Sequence, residues 1–256
     1  MCIDRGAKYL ASVWDLDLLS WIDKFLNYYK IGSGDLTAYP IIKEFSKRGK
    51  PIIISTGLSN IKEVKDSVKF IQSQNSIYKN KNNLAILQCT SCYPTNDEEV
   101  NLKVIKTLKD ETKMTVGFSD HTIGDLALKT AYTYGAEVLE FHFTDTRKNK
   151  KFRDHKISLT ANETKNLITD LKRITKILGS NTKKATNKEI SSNHVVSFRR
   201  GIYCNKFLKK GHRLKKEDLV FLRPNHGIDA RDYIKVIGKK IKKDTKKPFK
   251  SNGKSK

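Results

Sequence analysis

The stretch MTVGFSDHT, residues 114–122, is an apolar run that ends in polar side chains, and it decides the fold prediction. Its first part is typical of a buried strand, and His121 follows the strand end directly. The pattern recurs in VLEFHFTD, residues 138–145, where His142 lies near the end of a second apolar run. Two histidines that leave consecutive strands are placed to share one ligand, although two unrelated roles are equally compatible with the pattern.

Short apolar runs of this kind recur along the first two thirds of the chain. Most are apolar on both faces, as expected for parallel strands that are covered by helices. Segments with helical periodicity lie between them, so the alternation predicts a parallel α/β sheet. The predicted strands are YLASVWD (9–15), YYKIGS (28–33), PIIISTG (51–57), LAILQCTS (84–91), MTVGFSD (114–120) and VLEFHFT (138–144). The predicted helices are 16–26, 37–48, 60–74, 98–110, 123–134 and 160–178.

Polar residues end nearly every predicted strand, which favours a (β/α)8 barrel over an open doubly wound sheet. In a barrel these ends converge on one mouth, where such enzymes carry out their chemistry. Neither G-x-G-x-x-G nor a P-loop occurs, which counts against a nucleotide-binding fold. The polar residues at strand ends are Lys30, Ser33, Ser55, Thr56, Thr90, Ser91, Ser119, Asp120, His121, Glu140 and His142.

The character of the chain changes after Gly179. Residues 1–179 are predicted to form the partial barrel domain, and residues 180–194 a polar linker. Short strand-like pieces in residues 195–243 predict a small second domain. Residues 244–256 are rich in lysine and predict a disordered basic tail.

Composition narrows the function classes. The formal net charge is +24, but the lysines are spread along the whole chain rather than clustered on one segment, so nucleic-acid binding is not expected as the main function. Only residues 239–256 are dense enough in lysine to resemble a basic arm. No apolar run approaches the roughly 20 residues that span a bilayer. The N-terminus lacks the apolar core of a signal peptide, so a cytoplasmic protein is expected.

The cysteines do not form a disulfide framework. Cys89 and Cys92 make one C-x-x-C motif, and neither Cys2 nor Cys204 supplies the second pair that a zinc site needs. Reduced thiols packed in the fold are therefore the favoured interpretation.

The residue types at the strand ends indicate two kinds of binding. Neutral imidazoles from His121 and His142 suit adjacent positions around one Mn, Fe or Zn ion, and two protein ligands leave positions open for substrate. A pair of unrelated packed histidines remains the alternative. Asp120 is predicted to orient His121. Lys30 is either a Schiff-base nucleophile or an anion clamp, and the hydroxyls and glycines around it favour the clamp.

Six motifs, taken in order, resemble the sialic acid (N-acetylneuraminate) synthase family of bacterial nonulosonate synthases. They are KIGSGDLTAYPIIK (30–43), GKPIIISTG (49–57), LQCTSCYPT (87–95), GFSDHT (117–122), EFHFT (140–144) and RDHKISL (153–159). RRGIY, KKGHRLKKEDL and LRPNHGI resemble that family's C-terminal antifreeze-like (SAF) domain. The resemblance covers about residues 3–240.

The resemblance implies a transferase that condenses phosphoenolpyruvate with an N-acylated mannosamine-type hexosamine and releases phosphate, for cell-surface carbohydrate biosynthesis. It implies a divalent metal, Mn²⁺, on His121 and His142, with Lys30 as a further catalytic residue. It also implies a domain-swapped homodimer in which Arg223 reaches the active site of the partner subunit. The implied phosphoenolpyruvate contacts are Lys30, Ser33, Ser55 and Ser119, and the implied sugar contacts are Tyr93, Asp154 and Ser91, which replaces an asparagine of some relatives.

The resemblance also has departures. The first predicted strand corresponds to the third strand of the family's barrel, which implies that two β/α units are absent. The chain is then either a fragment of a longer product or an inactive copy. A non-catalytic remnant that binds sugar or phosphoenolpyruvate, and another metal-dependent barrel aldolase or epimerase, remain alternatives. YLASVWD replaces an S-T-P-F pattern, so no hydroxyl role is assigned to Val13, and Phe141 replaces a residue that is often basic.

Overall fold

The structure is a computed structural model that describes residue 4 and residues 6–246. The chain divides into two compact units, Met1–Gly179 and Ser180–Lys256. Most of the predicted basic tail, residues 247–256, lies outside the described residues, as does Cys2. Within the described part of the chain, no helix is both long and apolar enough to cross a bilayer.

The first unit is built on a curled parallel sheet, which confirms the α/β class. Its strands pair in chain order, and every pair is parallel. Successive parallel strands require a crossover, and a helix supplies it in each case. The strands are β1 (Tyr29–Ile31), β2 (Ile52–Ser55), β3 (Leu84–Cys89), β4 (Thr115–Ser119) and β5 (Leu139–Glu140).

The segment 9–15 is not a strand, in contrast to the prediction. It forms one isolated parallel bridge, between Ser12 and Lys30. The extended segment is short because the side chain of Asp15 accepts a hydrogen bond from the Asp17 amide at 2.9 Å and begins a helix there. At the other edge of the sheet, Phe143 and Leu159 form a second isolated parallel bridge.

The helices of the first unit largely follow the predicted periodicity. Both predicted N-terminal capping boxes are confirmed, at Asn60 with Glu63 and at Thr160 with Glu163. Predicted helix 98–110 begins later, at Val104, since Asn101 has a left-handed φ of 52°. The helices are α1 (Leu16–Ile22), α2 (Tyr39–Arg48), α3 (Ile61–Gln74), α4 (Val104–Thr112), α5 (Leu126–Thr133), α6 (Asp154–Ile157) and α7 (Ala161–Leu178).

The core lies between the strands and the helices that cover them. Ile54, Ile86 and Val116 from the strands are fully or almost fully buried, together with Ile42 and Ile71 from the helices. Gly117 has a separate packing role. A Cβ atom there would lie 2.3 Å from the Val138 carbonyl oxygen, so only glycine lets β4 approach the start of β5 this closely.

The second unit is a small α/β arrangement. Its strands β6 (Gly201–Cys204) and β7 (Leu219–Leu222) pair antiparallel. Buried Asp218 accepts hydrogen bonds from Lys206 and His212 at 2.8 and 2.7 Å, and these hold the pKa of its carboxyl well below the usual range. The predicted linker contains a capped helix, so it is not wholly irregular. The helices are α8 (Asn187–Ser191), α9 (His194–Ser197) and α10 (Tyr233–Val236).

Candidate active site

A cavity of about 670 Å³ opens at the carboxyl ends of the parallel strands. Its wall is formed mainly by polar residues that directly follow or end a strand. This is the edge where the sequence predicted that functional side chains would meet. The lining residues include Ser12, Trp14, Lys30, Ser33, Asp35, Ser55, Leu58, Cys89, Ser91, Tyr93, Ser119, Asp120, His121, Glu140, Phe141 and His142.

The Lys30 ammonium lies in the part of the cavity lined by Lys30, Ser33, Ser55 and Ser119, which we call the floor. It lies in the middle of β1 and is only 8% exposed. Its Nζ donates hydrogen bonds to Ser55 Oγ at 2.9 Å and to the Ile31 carbonyl at 3.0 Å. The Glu140 carboxylate lies 3.4 Å from Nζ and also accepts a hydrogen bond from Ser55 Oγ at 3.3 Å. The free-energy cost of burying the ammonium is thus offset by the Glu140 carboxylate and by two hydrogen-bond acceptors, Ser55 Oγ and the Ile31 carbonyl.

The hydroxyls of Ser33 and Ser91 both lie close to Gly57. The Gly57 amide donates a hydrogen bond to Ser33 Oγ at 3.0 Å. A Cβ atom at Gly57 would lie 2.2 Å from Ser91 Oγ and 2.9 Å from Ser33 Oγ, so this position admits no side chain. Ser119, which ends β4 and is 4% exposed, lies on the same cavity wall. Four predicted hydroxyls, those of Ser33, Ser55, Ser91 and Ser119, therefore line one cavity.

His121 is held in one defined orientation. It is 6% exposed, and its Nδ1 lies 2.8 Å from the Thr90 carbonyl oxygen. A carbonyl only accepts, so Nδ1 carries the proton and Nε2 keeps its lone pair. Burial alone would lower the pKa of His121, but the hydrogen bonds to Cys89 and to the Thr90 carbonyl outweigh burial and raise it.

The predicted role of Asp120 is wrong. Its carboxylate accepts a hydrogen bond from the Thr122 amide at 2.8 Å, whereas the group that orients the His121 ring is the Thr90 carbonyl. Burial raises the pKa of Asp120. The residue thus fixes the turn after β4 rather than the imidazole.

His142 lies beside His121 in the part of the cavity lined by these two histidines and Tyr93, which we call the mouth. The two ring centroids are 5.3 Å apart, and the Asp154 carboxylate lies 3.7 Å from His142 Nδ1. Burial and the neighbouring His121 lower the pKa of His142. A lowered pKa favours the neutral imidazole, which is the form that binds metals.

Tyr93 packs against both histidines. Its ring centroid is 4.0 Å from that of His121 and 5.8 Å from that of His142. The Arg153 guanidinium lies over the Tyr93 ring, 4.5 Å from its centroid. Tyr93 and Asp154, both predicted sugar contacts, are therefore beside the histidine pair.

The histidine pair can be tested for its fit to one metal ion. Two imidazoles that bind one ion at about 2.1 Å, at angles near 90–110°, have ring centroids about 4.6–5.4 Å apart. The observed 5.3 Å falls within this range, and His121 Nε2 is free to bind. Among the described residues, no group of three or more His, Cys, Asp or Glu side chains is arranged to hold a metal. The separation of the two rings is compatible with two protein ligands, which would leave further positions to substrate or water.

The lining residues that the sequence analysis missed include Ser12 and Trp14. Ser12 faces the cavity because its bridge with Lys30 continues the sheet by one position. Buried Val13 points to the opposite side, and Trp14 faces the cavity again. The alternation of an extended segment was the available signal, and it places the Ser12 hydroxyl, rather than the Val13 side chain, on the cavity side.

Arg223 belongs to the second unit, where it is exposed. Its predicted contact with the active site of a partner subunit stays a prediction.

A curled parallel sheet with polar strand ends around one cavity defines the class as an α/β barrel-type enzyme domain. The NeuB family model matches residues 1–183, and the chain belongs to this family. The resemblance noted in the sequence is thereby confirmed.

Curated relatives agree with this assignment. N,N'-diacetyllegionaminic acid synthase of Campylobacter jejuni is 36% identical over 239 residues, which are 93% of this chain and 70% of that protein. Pseudaminic acid synthase of the same species is 34% identical over 234 residues, 91% of this chain and 64% of that protein. N-acetylneuraminate-9-phosphate synthase of Homo sapiens is 30% identical over 239 residues, 92% of this chain and 64% of that protein. The chain thus spans about two thirds of the length of these relatives.

Solved structures show the same fold. N-acetylneuraminic acid synthetase from Leptospira borgpetersenii, in complex with citrate, matches with a TM-score of 0.68 and 27% identity, over 75% of this chain and 65% of that one. A putative spore coat polysaccharide biosynthesis protein E from Chromobacterium violaceum matches with a TM-score of 0.74 and 22% identity, over 95% of this chain and 73% of that one. The second likeness concerns the fold alone.

Proposed function

We propose that the protein is a nonulosonate synthase that condenses phosphoenolpyruvate with an N-acylated mannosamine-type sugar and releases phosphate. A bond forms between C3 of phosphoenolpyruvate and the aldehyde carbon of the open-chain sugar. Water adds at C2, and the C2–O bond to phosphate then breaks. The observation that carries the proposal is one cavity with a buried cation in its floor and a histidine pair at its mouth.

The floor of the cavity is suited to phosphoenolpyruvate. Lys30 presents a fixed ammonium, and the hydroxyls of Ser33, Ser55 and Ser119 can donate to phosphate or carboxylate oxygens. Charge-assisted hydrogen bonds of this kind are roughly twice as strong as neutral ones. Ser12 adds a hydroxyl to the same floor.

The mouth of the cavity is suited to the aldehyde end of the sugar. His121 and His142 would hold the divalent cation, for which we propose Mn²⁺. The bound cation would polarise the aldehyde. The Thr90 carbonyl holds the proton of the neutral His121 imidazole on Nδ1, so that Nε2 of this form would be available as a ligand. Tyr93 and Asp154 lie beside the pair and would contact the sugar, together with Ser91.

The remaining features of the proposal rest on family membership. Arg223 would reach the sugar in the partner's active site of a domain-swapped homodimer. The SAF character of residues 195–243 and the cytoplasmic location also stay predictions.

The test is phosphate release from phosphoenolpyruvate by the purified chain, with Mn²⁺ and a panel of N-acylated mannosamine-type sugars. Sugar-dependent release is the expected result, and the most active sugar identifies the substrate. Binding of phosphoenolpyruvate and sugar without turnover, by a chain shown to be folded, would instead support a non-catalytic binding protein. Metal-dependent chemistry on a sugar without consumption of phosphoenolpyruvate would support another aldolase or epimerase.

A further inference from the structure

Trp14 is an exposed aromatic side chain on the rim of the cavity. It lines the cavity wall, yet 76% of its surface is exposed. Within the part of the chain that the structure describes, its ring contacts no other aromatic ring and its indole N–H has no hydrogen-bond partner. A single exposed apolar residue needs no explanation on a protein surface. An unpaired indole on the wall of a polar cavity does need one.

The position of Trp14 is fixed on both sides. The bridge between Ser12 and Lys30 anchors the chain on one side, and the Asp15 side chain begins α1 on the other. Val13 is buried between these points, so Ser12 and Trp14 share the opposite face, which lines the cavity. The indole is therefore held over the cavity by the backbone rather than by contacts of its own ring.

Solvent exposure distinguishes Trp14 from the residues of the proposed anion site. Ser12 lies beside Lys30 in the floor, and Trp14 lies two residues further along an extended segment. That distance is about 6.5 Å at the usual rise of a strand. The indole thus lies on the exposed rim of the cavity, whereas Lys30 and Ser55 in the floor are only 8% and 2% exposed.

The chemistry of the indole selects the type of ligand. The face of an aromatic ring carries partial negative charge and attracts weakly positive C–H groups, whereas it does not favour a phosphate or a carboxylate. A sugar offers one face of C–H groups and an edge of hydroxyls, and the indole N–H supplies a donor for the latter. We propose that Trp14 is the platform on which the sugar substrate stacks. This inference rests on the proposed function, since it assigns the second substrate of that reaction to the indole.

The two tryptophans of the chain allow a direct test by fluorescence. Trp21 is also exposed, but it faces a separate cavity and contacts Phe25, with ring centroids 6.0 Å apart. In the Trp21→Phe variant all tryptophan emission comes from Trp14. We expect saturable quenching or a shift of this emission with N-acetylmannosamine, in the presence of phosphoenolpyruvate and Mn²⁺. The emission of the Trp14→Phe variant, which comes from Trp21, should not respond.

Kinetics give a second, independent readout. Trp14→Ala should raise the KM for the sugar about 10-fold and leave the KM for phosphoenolpyruvate unchanged, as expected for the loss of one aromatic stacking contact. Trp14→Tyr should recover most of the affinity, because it restores an aromatic face. Trp21→Ala is the matched control and should change neither constant. Far-ultraviolet circular dichroism of each variant establishes that it is folded.

The outcomes separate this inference from the proposed function. Sugar-dependent phosphate release with an unresponsive Trp14 and an unchanged sugar KM in Trp14→Ala overturns the stacking role and leaves the synthase proposal intact. A Trp14 signal that responds to sugar without phosphate release supports the sugar site and contradicts the activity. If neither a Trp14 fluorescence response nor phosphate release is observed, both the stacking role and the synthase proposal are contradicted.

Discussion

At the scale of single residues, the site contains a carboxylate where an anion is proposed to bind. Glu140 lies 3.4 Å from Lys30 Nζ, and its side chain is 37% exposed. A buried ammonium without a counter-charge is costly, so the ion pair stabilises the ligand-free site. In the proposed reaction, a bound phosphate or carboxylate would take over this balancing role. The Lys30–Glu140 pair would thus keep Lys30 paired until the anion binds.

Replacement of Lys30 tests this interpretation. Lys30→Met keeps much of the side-chain volume and removes the charge, so we expect the KM for phosphoenolpyruvate to rise about 10- to 100-fold, the range of a lost charge-assisted hydrogen bond. Lys62→Met is the matched control, because Lys62 lies on the surface with a side chain that is 83% exposed. Equal values of KM in both variants would contradict the anion role.

The histidine pair leads to a second prediction. His121→Ala or His142→Ala should lower Mn²⁺-dependent phosphate release by at least 100-fold, since either change leaves one protein ligand. His194→Ala, which removes an exposed histidine of the second unit, should retain normal rates. Mn²⁺ binding followed by electron paramagnetic resonance gives a readout that does not depend on turnover. A variant of either histidine that binds Mn²⁺ normally would show that the metal lies elsewhere.

The residues of the site could be predicted to the extent that they follow strands. Ser55, Ser119 and His121 lie at or just after the ends of apolar runs, and this position alone brings them to one edge of the sheet. Lys30 lies within β1 and reaches the cavity from there. Thr90 could not be predicted as the orienting group of His121, because its carbonyl acts through the backbone and leaves no signature in the residue type. Asp120 was the nearer choice in sequence, but its carboxylate turns back to the Thr122 amide.

At the scale of elements, the sequence predicted the start of a helix best where a side chain caps its N-terminus. Asn60 and Thr160 begin α3 and α7 as predicted, because each cap depends on residues only three positions apart. The strand predicted at 9–15 depends instead on pairing with a distant neighbour. Only Ser12 finds such a partner, so apolar residues in this segment were not sufficient for a strand.

The contribution of the α7 cap to the free energy of unfolding depends on pH. Glu163 receives hydrogen bonds from Arg147 at 2.6 and 3.0 Å and from the Thr160 amide at 2.8 Å, which lower its pKa to about 2. A lowered pKa stabilises the fold above the unfolded value of 4.5, and this contribution is lost as the pH falls towards 2. Urea unfolding should therefore show Glu163→Gln to be less stable than the wild type at pH 7, with a difference that shrinks below about pH 4.5.

Thr160→Ala completes the test of the cap. It should lower the free energy of unfolding by about 1 kcal/mol, the usual value of a lost N-cap hydrogen bond. Thr169→Ala, in the exposed middle of α7, makes the same chemical change away from the cap and should have little effect. Equal destabilisation by both threonine variants would contradict a capping contribution.

At the scale of the whole molecule, the formal charge of +24 suits anionic substrates. A positive field raises the local concentration of small anions around the chain, but it does not specify a site. The site itself follows from the sheet, whose parallel strands carry their polar ends to one cavity. The division at Gly179 coincides with a change in sequence character, whereas the role of the second unit comes from family resemblance and not from pattern.

The proposed swapped dimer can be tested by mixing two inactive variants. If Arg223 serves the partner's active site, a heterodimer of Arg223→Ala and His121→Ala subunits contains one site with both defects and one site with none. Mixing the two variants, with time for subunit exchange, should then restore sugar-dependent phosphate release to as much as a quarter of the wild-type rate. If Arg223 serves its own subunit, every site in the heterodimer keeps one defect and no activity returns. Arg199→Ala, which removes another exposed arginine of the second unit, is the control for loss of charge and should be active without a partner.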